Sequence, residues 1–424
     1  MRILRHIAIW VLCGFSIQAW SQDYARLSET TIMGTARYVG MGGAMTAIGG
    51  DPSSVQDNAA GLGLYRRPEV LLTLDYAGFL MAPQSSIIFS LPTDNTKPNG
   101  IRCHNLMFSY HRLHSFYRDM SFAAKNEASL GALMDAKGVD IGVPYCIDPK
   151  AACNLLVREN GYVNEYALNW AMNIANRWYW GLGLRIHSFS FSSEGDYLEV
   201  FDYQNYYNRS KTVLLMNGAG CSLATGLIAR PLSWLRLGVG IQTPSLGSIT
   251  TSTQGTFDAN TDSLRWSDAP DLRETGTDFH MPLQLSTSVA FQISHYAMIA
   301  LQYNYRHMSG RPDLHSLRAG FEVVPIAGLY INGGYVYESP FSRSSLIVPI
   351  DPSMNRQDAY YQELSQQQYI SCGVGYRGCN LIVQAAYQYS LRQINLSAHE
   401  MAPQHAMNGI THRIVLTVGW HGYY

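Results

Sequence analysis

Residues 178–189 read WYWGLGLRIHSF, and this stretch alternates between two kinds of side chain. The large apolar members are Trp178, Trp180, Leu182, Leu184 and Ile186. Between them lie Tyr179, Gly181, Gly183, Arg185 and His187. Because successive side chains of a strand point to opposite faces of a sheet, the pattern predicts a β-strand with one apolar face. The other face is rich in glycine, which is not typical of the solvated face of a soluble sheet.

The same alternation recurs along most of the chain, for example in residues 165–174, 234–242 and 315–323. It predicts about fourteen strands, near 69–80, 85–92, 103–111, 161–174, 177–190, 211–228, 233–243, 280–293, 296–306, 315–323, 328–337, 367–376, 380–389 and 411–424. Short connections take turns with long polar ones, which we place at 112–160, 191–210, 244–279, 338–366 and 390–410. Short turns on one side and long loops on the other are typical of outer-membrane barrels. We therefore predict an all-β fold, a transmembrane antiparallel β-barrel of about fourteen strands.

The composition agrees with a barrel in a membrane. Charged residues make up 14% of the chain, against about 25% in soluble domains. Tyrosine and glycine are abundant, at 28 and 37 residues, and no apolar run approaches the roughly 20 residues of a membrane-spanning helix. The net charge of −1 argues against a nucleic-acid partner. We find no pattern that indicates an enzyme, a cofactor or a metal site.

Both ends of the chain carry export signals. Arg2 and Arg5 precede the apolar residues 7–15, and Ala19-Trp20-Ser21 is a small-x-small cleavage site. We therefore predict a signal peptide at 1–21 and an exported protein. The last strand has one apolar face and ends on the aromatic Tyr424, a pattern typical of substrates of the barrel-assembly machinery. The predicted location is the outer membrane of a Gram-negative bacterium, in contact with its lipid.

Six cysteines remain after cleavage of the predicted signal peptide. An oxidising compartment allows disulfides, and the spacing makes Cys146–Cys153 and Cys372–Cys379 candidate pairs. Residues 119–138 have helical character, with Phe122, Leu130, Leu133 and Met134 as an apolar face. This helix would be either a lid for an apolar ligand or a packing element of the outer loops.

The residues before the first strand predict a plug. A barrel of about fourteen strands is too wide for its own side chains to fill, and residues 34–64 are rich in Gly, Ala and Ser. We predict a hatch at 22–68, inside a barrel at 69–424, with a turn at Asn58, Ala59, Ala60 and Gly61. Candidate lumen ligand or hatch contacts are the charges predicted to face inward: Asp75, Glu165, Arg185, Arg236, Arg306, Arg318, Glu322 and Arg413. They would either hold the hatch in ion pairs or bind a carboxylate head group.

Residues 34–63, GTARYVGMGGAMTAIGGDPSSVQDNAAGLG, resemble the N-terminal region of the FadL-type outer-membrane transporters. The matching positions are Gly40, Gly42, Gly43, Ala44, Ala47, Asp51, Ser53, Asn58, Ala60 and Gly61. Ala59 departs from the proline of that family. The resemblance implies a fourteen-stranded barrel with an N-terminal hatch and passive uptake of hydrophobic molecules such as long-chain fatty acids or hydrocarbons. It also implies sideways exit where the third strand kinks, although residues 103–112 contain no Gly or Pro.

A second function is open at this point. A FadL-like barrel also serves type IX secretion as an accessory or shuttle for exported proteins, and the stretches 338–366 and 390–410 could form such a docking surface. Transport needs an apolar groove between hatch and wall, whereas docking does not.

Overall fold

The computed structural model describes residues 31–77, 80–93, 100–126, 129, 132, 151–202, 206–261, 264–268, 273–279, 281–307, 313–348, 359–397 and 404–422. The predicted signal peptide lies outside these residues. Seventeen strands are present in the described residues: β1 (Glu69–Ala77), β2 (Leu80–Pro92), β3 (Ile101–Asn126), β4 (Ala151–Ile174), β5 (Trp178–Val200), β6 (Tyr207–Leu232), β7 (Leu235–Gln242), β8 (Leu246–Thr261), β9 (Leu264–Asp268), β10 (Arg273–Phe279), β11 (Leu283–Ser294), β12 (Ala297–His307), β13 (Leu314–Ile326), β14 (Leu329–Val348), β15 (Ala359–Arg377), β16 (Leu381–Ser397) and β17 (His405–His421).

The strands form one closed antiparallel barrel with fourteen positions in its wall. β7 and β8 both pair with β6, so together they are one interrupted wall strand. β10 pairs with β8 and β11 with β7, which makes β10 and β11 a second interrupted strand. β9 pairs with β8 as a hairpin. β1 pairs with both β2 and β17, which closes the ring. The predicted fold class and strand number are confirmed.

The wall separates a polar interior from an apolar exterior. In β1 the side chains of Glu69, Leu71, Thr73 and Asp75 are buried, and the intervening apolar side chains are exposed. This alternation runs around the barrel and leaves an exposed aliphatic belt, as expected of a lipid-facing surface.

Aromatic side chains border this belt at both ends. Trp178, Trp234 and Trp420 are about half exposed and lie beside the short-turn end. At the other end, three tyrosines bond a side chain of the next strand: Tyr303 with His315, Tyr335 with Gln368, and Tyr387 with His412. Two such girdles are typical of barrels that cross a membrane.

The short connections agree with the prediction, but the long ones do not. Tight turns join β4 to β5, β6 to β7, β11 to β12, β13 to β14 and β15 to β16. In contrast, much of each predicted long loop is strand: β3 continues to Asn126, for example, and β5 continues to Val200. The apolar half of the alternating pattern ends at the membrane boundary, whereas backbone pairing continues beyond it. The strands are therefore longer than their apolar faces predict.

Two further predictions are corrected. Residues 119–126 of the predicted helix belong to β3, where Phe122 is buried, while Leu130, Leu133 and Met134 lie outside the described residues. Cys372 and Cys379 are free thiols. Cys372 lies within β15 and Cys379 in the turn after it, so an extended chain separates their Cα atoms by more than the roughly 7 Å that a disulfide can bridge. Cys146 lies outside the described residues.

The residues before β1 fold inside the ring of strands. They form one short helix, α1 (Ala36–Gly40), and two 3₁₀ turns, Pro52–Gln56 and Ala59–Leu64. Nearly every residue from 32 to 65 is buried. We refer to residues 31–68 as the N-terminal segment. No helix in the described part of the chain is long and apolar enough to cross a membrane.

Candidate functional site

The helix of the N-terminal segment is bonded to two strands of the inner wall. Thr35 caps α1 by accepting from the Tyr38 amide at 3.2 Å. The Ala36 amide donates to Thr417 Oγ1 of β17 at 2.9 Å, and Ser371 Oγ of β15 donates to the Gly40 carbonyl at 3.0 Å. The wall therefore satisfies backbone groups that a five-residue helix leaves unpaired.

The predicted hatch turn is a capped 3₁₀ turn. Asn58 Oδ1 accepts from the Ala60 amide at 3.0 Å, and Asn58 Nδ2 donates to the carbonyls of Thr46 (2.9 Å) and Leu227 (3.3 Å). Ala59, Ala60 and Gly61 are buried beside it. Asn58 thus fixes the turn and also bonds it to β6, without the proline that the FadL-type pattern has next.

Glycines of the wall allow the segment to lie directly on the strands. A Cβ atom on any of these glycines would come closer to an atom of the segment than van der Waals contact permits. They are Gly181 (facing Ala59), Gly226 (Asn58), Gly238 (Thr46), Gly240 (Asp57), Gly320 (Met41) and Gly334 (Gly42). The glycine-rich face seen in the sequence is therefore the face that receives the backbone of the N-terminal segment.

Asp57 lies at the centre of a buried polar cluster. Its Oδ2 accepts from Arg318 Nη1 at 3.0 Å, Gln302 Nε2 at 3.0 Å and the Tyr38 hydroxyl at 2.7 Å. Its Oδ1 accepts from Gln284 Nε2 at 3.2 Å. A buried carboxylate needs such compensation, and here it comes from three wall strands and α1.

Two other predicted wall arginines bond carbonyls of the segment. Arg185 Nη2 donates to the Val55 carbonyl at 2.8 Å, and Arg236 Nη1 donates to the Ile48 carbonyl at 3.3 Å. Glu165 lies 3.8 Å from Arg185, measured from Oε2 to Nη1, and both side chains are buried. The structure thus brings Glu165 and Arg185 together and leaves Arg236 apart from them.

Asp75 and Arg413 form a buried bidentate pair between β1 and β17. Arg413 Nε donates to Asp75 Oδ1 at 2.6 Å, and Arg413 Nη2 bonds Asp75 Oδ2. Arg413 Nη1 also donates to the Ile32 carbonyl. This pair therefore joins the first and last strands of the barrel and holds the start of the N-terminal segment.

Sequence reasoning missed the partners that the segment itself supplies. Arg37 Nε donates to Glu322 Oε2 at 2.6 Å, and Arg37 Nη2 donates to Oε1 at 2.8 Å. Glu322 was expected among the inward charges, but Arg37 and Tyr38 were not assigned contacts. One signal was available: Arg37 is the sole basic residue in the otherwise small and apolar stretch 34–63.

Two groups of the segment have pKa values shifted by burial. Burial raises the pKa of the Tyr38 hydroxyl, and the neighbouring Asp57 carboxylate raises it further. Tyr38 therefore stays protonated and donates to Asp57. Burial also raises the pKa of Asp51, opposed by the charge of Arg37 and by hydrogen bonds from Thr35 and Ser53.

A small, partly open cavity of about 50 Å³ lies between the N-terminal segment and the wall. Its polar lining includes Arg185, Arg306 and Arg318, and its apolar lining includes Leu113 and Met281. Leu113 and Met281 also belong to a buried apolar cluster of the inner wall, together with Phe116, Val163, Phe189, Phe191, Leu214, Met216 and Ile249. The cavity is therefore amphipathic.

Arg306 differs from the other two arginines of the cavity. Arg318 is paired with Asp57, and Arg185 lies beside Glu165. The side-chain contact of Arg306 within the described residues is a long hydrogen bond of 3.4 Å from Nε to Gln284 Oε1. Its guanidinium is half-buried and also experiences the negative charge of Glu338.

Backbone pairing between neighbouring wall strands is interrupted beside this cavity. β2 pairs with β3 only as far as Ser85–Tyr110, and β1 pairs with β17 only as far as Tyr76–Ile414. Beyond these pairs, β3 and β17 extend further from the short-turn end. Their side chains meet again where the rings of Phe122 and His405 lie 5.2 Å apart. We use "lateral window" for the unpaired region bounded by the β1–β2 hairpin, residues 111–121 and residues 406–413.

The third wall strand is irregular at this window. Its register with β4 shifts between Arg112 and His114. The absence of Gly and Pro gave no signal for this bulge, because a bulge requires one extra residue and no particular side chain. Leu113, at the bulge, lines the cavity, and its carbonyl accepts from the Thr31 amide at 3.2 Å.

Several solved structures share this fold over nearly the whole chain. The toluene transporter TodX of Pseudomonas putida has a TM-score of 0.56 and 10% identity, over 93% of this chain and 99% of its own. The monoaromatic hydrocarbon channel CymD gives 0.55 and 10%, over 93% and 99%. A FadL homologue of Pseudomonas aeruginosa gives 0.54 and 10%, over 92% and 99%. No family model and no curated protein matches the sequence.

At these identities the likeness is one of fold, and it includes the closed ring of fourteen wall strands. The chain therefore has the fold of the FadL-type outer-membrane transporters, as the resemblance of its N-terminal residues implies.

Proposed function

We propose that this protein is an outer-membrane barrel for passive uptake of hydrophobic small molecules, with the N-terminal segment as its hatch. The observation that carries the proposal is the amphipathic cavity above that segment. Leu113 and Met281 connect its charged floor to the apolar cluster of the inner wall. Transport of an apolar ligand needs such a groove between hatch and wall.

The cavity favours an amphiphile with an anionic head group, such as a long-chain fatty acid. Arg306 has no carboxylate partner within 4 Å among the described residues. A carboxylate bound there would make a charge-assisted hydrogen bond, while the chain of the ligand would lie along Phe189 and Phe191. A pure hydrocarbon would use the apolar part alone.

The exit that fits the geometry is lateral. The N-terminal segment fills the barrel below the cavity and is bonded to strands on several sides, so an axial path would require many buried bonds to break. The lateral window begins at Leu113, which also lines the cavity. A hydrophobic molecule leaving there enters the membrane and avoids water on its way.

A docking role in protein secretion was the second function considered. The surfaces expected for it, 338–366 and 390–410, are largely extensions of β14, β15, β16 and β17, apart from residues 349–358 and 398–403, which lie outside the described residues. Since no described feature favours docking, we retain it as an outcome of the test.

The test is ligand binding by the full-length protein purified in detergent. Lipid extraction and native mass spectrometry should detect a co-purified apolar molecule, or one bound equivalent of added long-chain fatty acid. Consistent absence of both would favour the docking role instead.

A further inference from the structure

A basic cluster lies at the short-turn end of the barrel, which faces the periplasm if the protein is inserted as proposed; two of its arginines are exposed and Arg230 is half-buried. The cluster consists of Arg66, Arg177 and Arg230, from the end of the N-terminal segment, the β4–β5 turn and the end of β6. Arg66 Nη2 donates to Asn176 Oδ1 at 3.0 Å, and the Arg230 amide donates to the Arg177 carbonyl at 2.7 Å. Three distant parts of the sequence therefore converge here.

The guanidinium groups of the cluster have no acidic partner within ion-pair distance among the described residues. At the same end of the barrel, by comparison, Arg377 is paired with Glu69 at 3.3 Å. The next residue after Arg66 is also an exposed arginine, Arg67, with no described ion pair. Like charges placed together without acids attract an anion from outside the protein.

The turn that carries Arg177 is held firmly in an unusual conformation. Ala175 and Asn176 have φ values of 56° and 57°, which non-glycine residues seldom adopt. Asn173 Oδ1 accepts from the Asn176 amide at 2.9 Å, and Asn173 Nδ2 donates to Asn176 Oδ1 at 2.9 Å. The Tyr179 hydroxyl donates to the Asn176 carbonyl at 3.2 Å. Arg177 is thus presented from a fixed backbone rather than from a free loop.

The surroundings of the cluster point to lipid. Trp178 directly follows Arg177 and is half exposed on the outer face, and Leu232 and Trp234 beside Arg230 are equally exposed. Tryptophan marks the boundary between hydrocarbon and headgroups. The basic cluster lies just beyond this girdle, which is the level of the lipid phosphates.

We propose that the basic cluster binds the headgroup of an anionic phospholipid in the inner leaflet of the outer membrane. The phosphate diester would bond the guanidinium groups, and the acyl chains would lie against Trp178, Leu232 and Trp234. The apolar rim favours a lipid over free phosphate or an acidic protein, neither of which would use it. The inference rests on the proposed membrane location.

The test compares wild type with the double variant Arg177→Gln/Arg230→Gln, which keeps the bond between Arg66 and Asn176. Arg158→Gln is the matched control, because Arg158 is an exposed arginine at the opposite end of β4. Each folded protein is incubated with equal amounts of phosphatidylglycerol and phosphatidylethanolamine of the same chains, and bound lipid is counted by native mass spectrometry. Fatty-acid binding is measured on the same samples.

We expect wild type and Arg158→Gln to bind about tenfold or more phosphatidylglycerol than phosphatidylethanolamine. The double variant should bind the two lipids equally. Equal retention of both lipids by wild type, or an unchanged double variant, would overturn the inference. Displacement of the lipid by excess inorganic phosphate or by polyglutamate would overturn it in favour of a free anion or an acidic protein. If wild type shows no lipid preference but binds fatty acid, only this inference fails. If wild type prefers phosphatidylglycerol but binds no fatty acid, only the proposed function fails.

Discussion

Asp57 of the N-terminal segment and Arg318 of β13 form a buried ion pair of 3.0 Å across 261 residues of sequence. Both side chains are almost fully shielded from solvent. The pair joins the segment to the wall within a buried polar cluster, so its loss should affect the seating of the segment.

Replacing Arg318 with Met should release the segment without abolishing the barrel. The change leaves the Asp57 carboxylate buried with neutral partners, and removing one member of a buried pair typically costs about 3–5 kcal/mol. We expect faster proteolysis between residues 31 and 68. The double variant Asp57→Asn/Arg318→Met should lose less than the sum of the single changes, and an additive result would contradict the coupling.

Gly240→Val should displace the N-terminal segment by steric contact alone. The new side chain would collide with the Asp57 backbone, and overpacking of this kind costs about 1–3 kcal/mol. The measurement is the urea midpoint of the folded barrel in detergent. Gly276→Val serves as the control, since a Cβ atom there would meet no other atom within 4 Å. Equal effects of both changes would show that strand propensity, and not contact with the segment, is responsible.

Deleting residues 34–64 should open the barrel. The ring of fourteen strands closes without the segment, because β1 pairs directly with β17. We expect the deletion variant to insert into planar bilayers with a higher conductance than wild type. Unchanged conductance in an inserted, heat-modifiable barrel would contradict the role of the segment as a hatch.

Asp51→Asn should stabilise the segment at neutral pH and have little effect in acid. Burial raises the pKa of Asp51 in the folded protein, so the ionised carboxylate costs stability above that pKa. As the pH falls through the raised pKa of the folded protein, wild type regains this stability. It regains all of it below about 3.9, which is the pKa of an aspartate in the unfolded chain. The readout is the difference in urea midpoint between the two proteins, which should shrink toward zero in acid. A constant difference would assign the effect to the altered hydrogen bonds.

Arg306→Gln should weaken fatty-acid binding and spare toluene. A hydrogen bond to a charged group contributes about 1.5–3 kcal/mol, which corresponds to roughly tenfold or more in affinity. Equilibrium binding of both ligands to the variant and to Arg158→Gln separates loss of the head-group contact from general damage. Equal weakening for both ligands would contradict a specific role of Arg306.

The barrel could be predicted from sequence because its signal is local. Alternation such as that of residues 178–189 reports which side chains face lipid, and each strand carries its own copy. The outer halves of the strands could not be predicted in this way. In β3 from Leu113 to Asn126 the alternation is irregular although the backbone pairs with β4, because the register shifts at Leu113 and polar side chains lie between the buried Phe116 and Phe122.

The site could be predicted for the inward charges of the wall and for the turn at Asn58, but not for the bonds that join the segment to the wall. Arg185, Arg236, Arg318 and Arg413 were identified as inward-facing because strand periodicity places them there. Their partners depend on contacts between residues up to 381 positions apart, as for Arg413 and Ile32, and no local pattern encodes these. The bulge at Arg112–His114 was missed for a related reason, since the extra residue is defined by the neighbouring strand.

The central claim is that the cavity binds a hydrophobic ligand, and photolabelling tests this most directly. A long-chain fatty acid with a diazirine near its terminal carbon is bound to the wild-type barrel and irradiated, and the labelled peptides are mapped by mass spectrometry. We predict labels near Leu113, Phe189 and Met281 that excess unlabelled fatty acid removes. Labels confined to outward-facing residues such as Ile87 and Phe108, unaffected by competitor, would contradict the account.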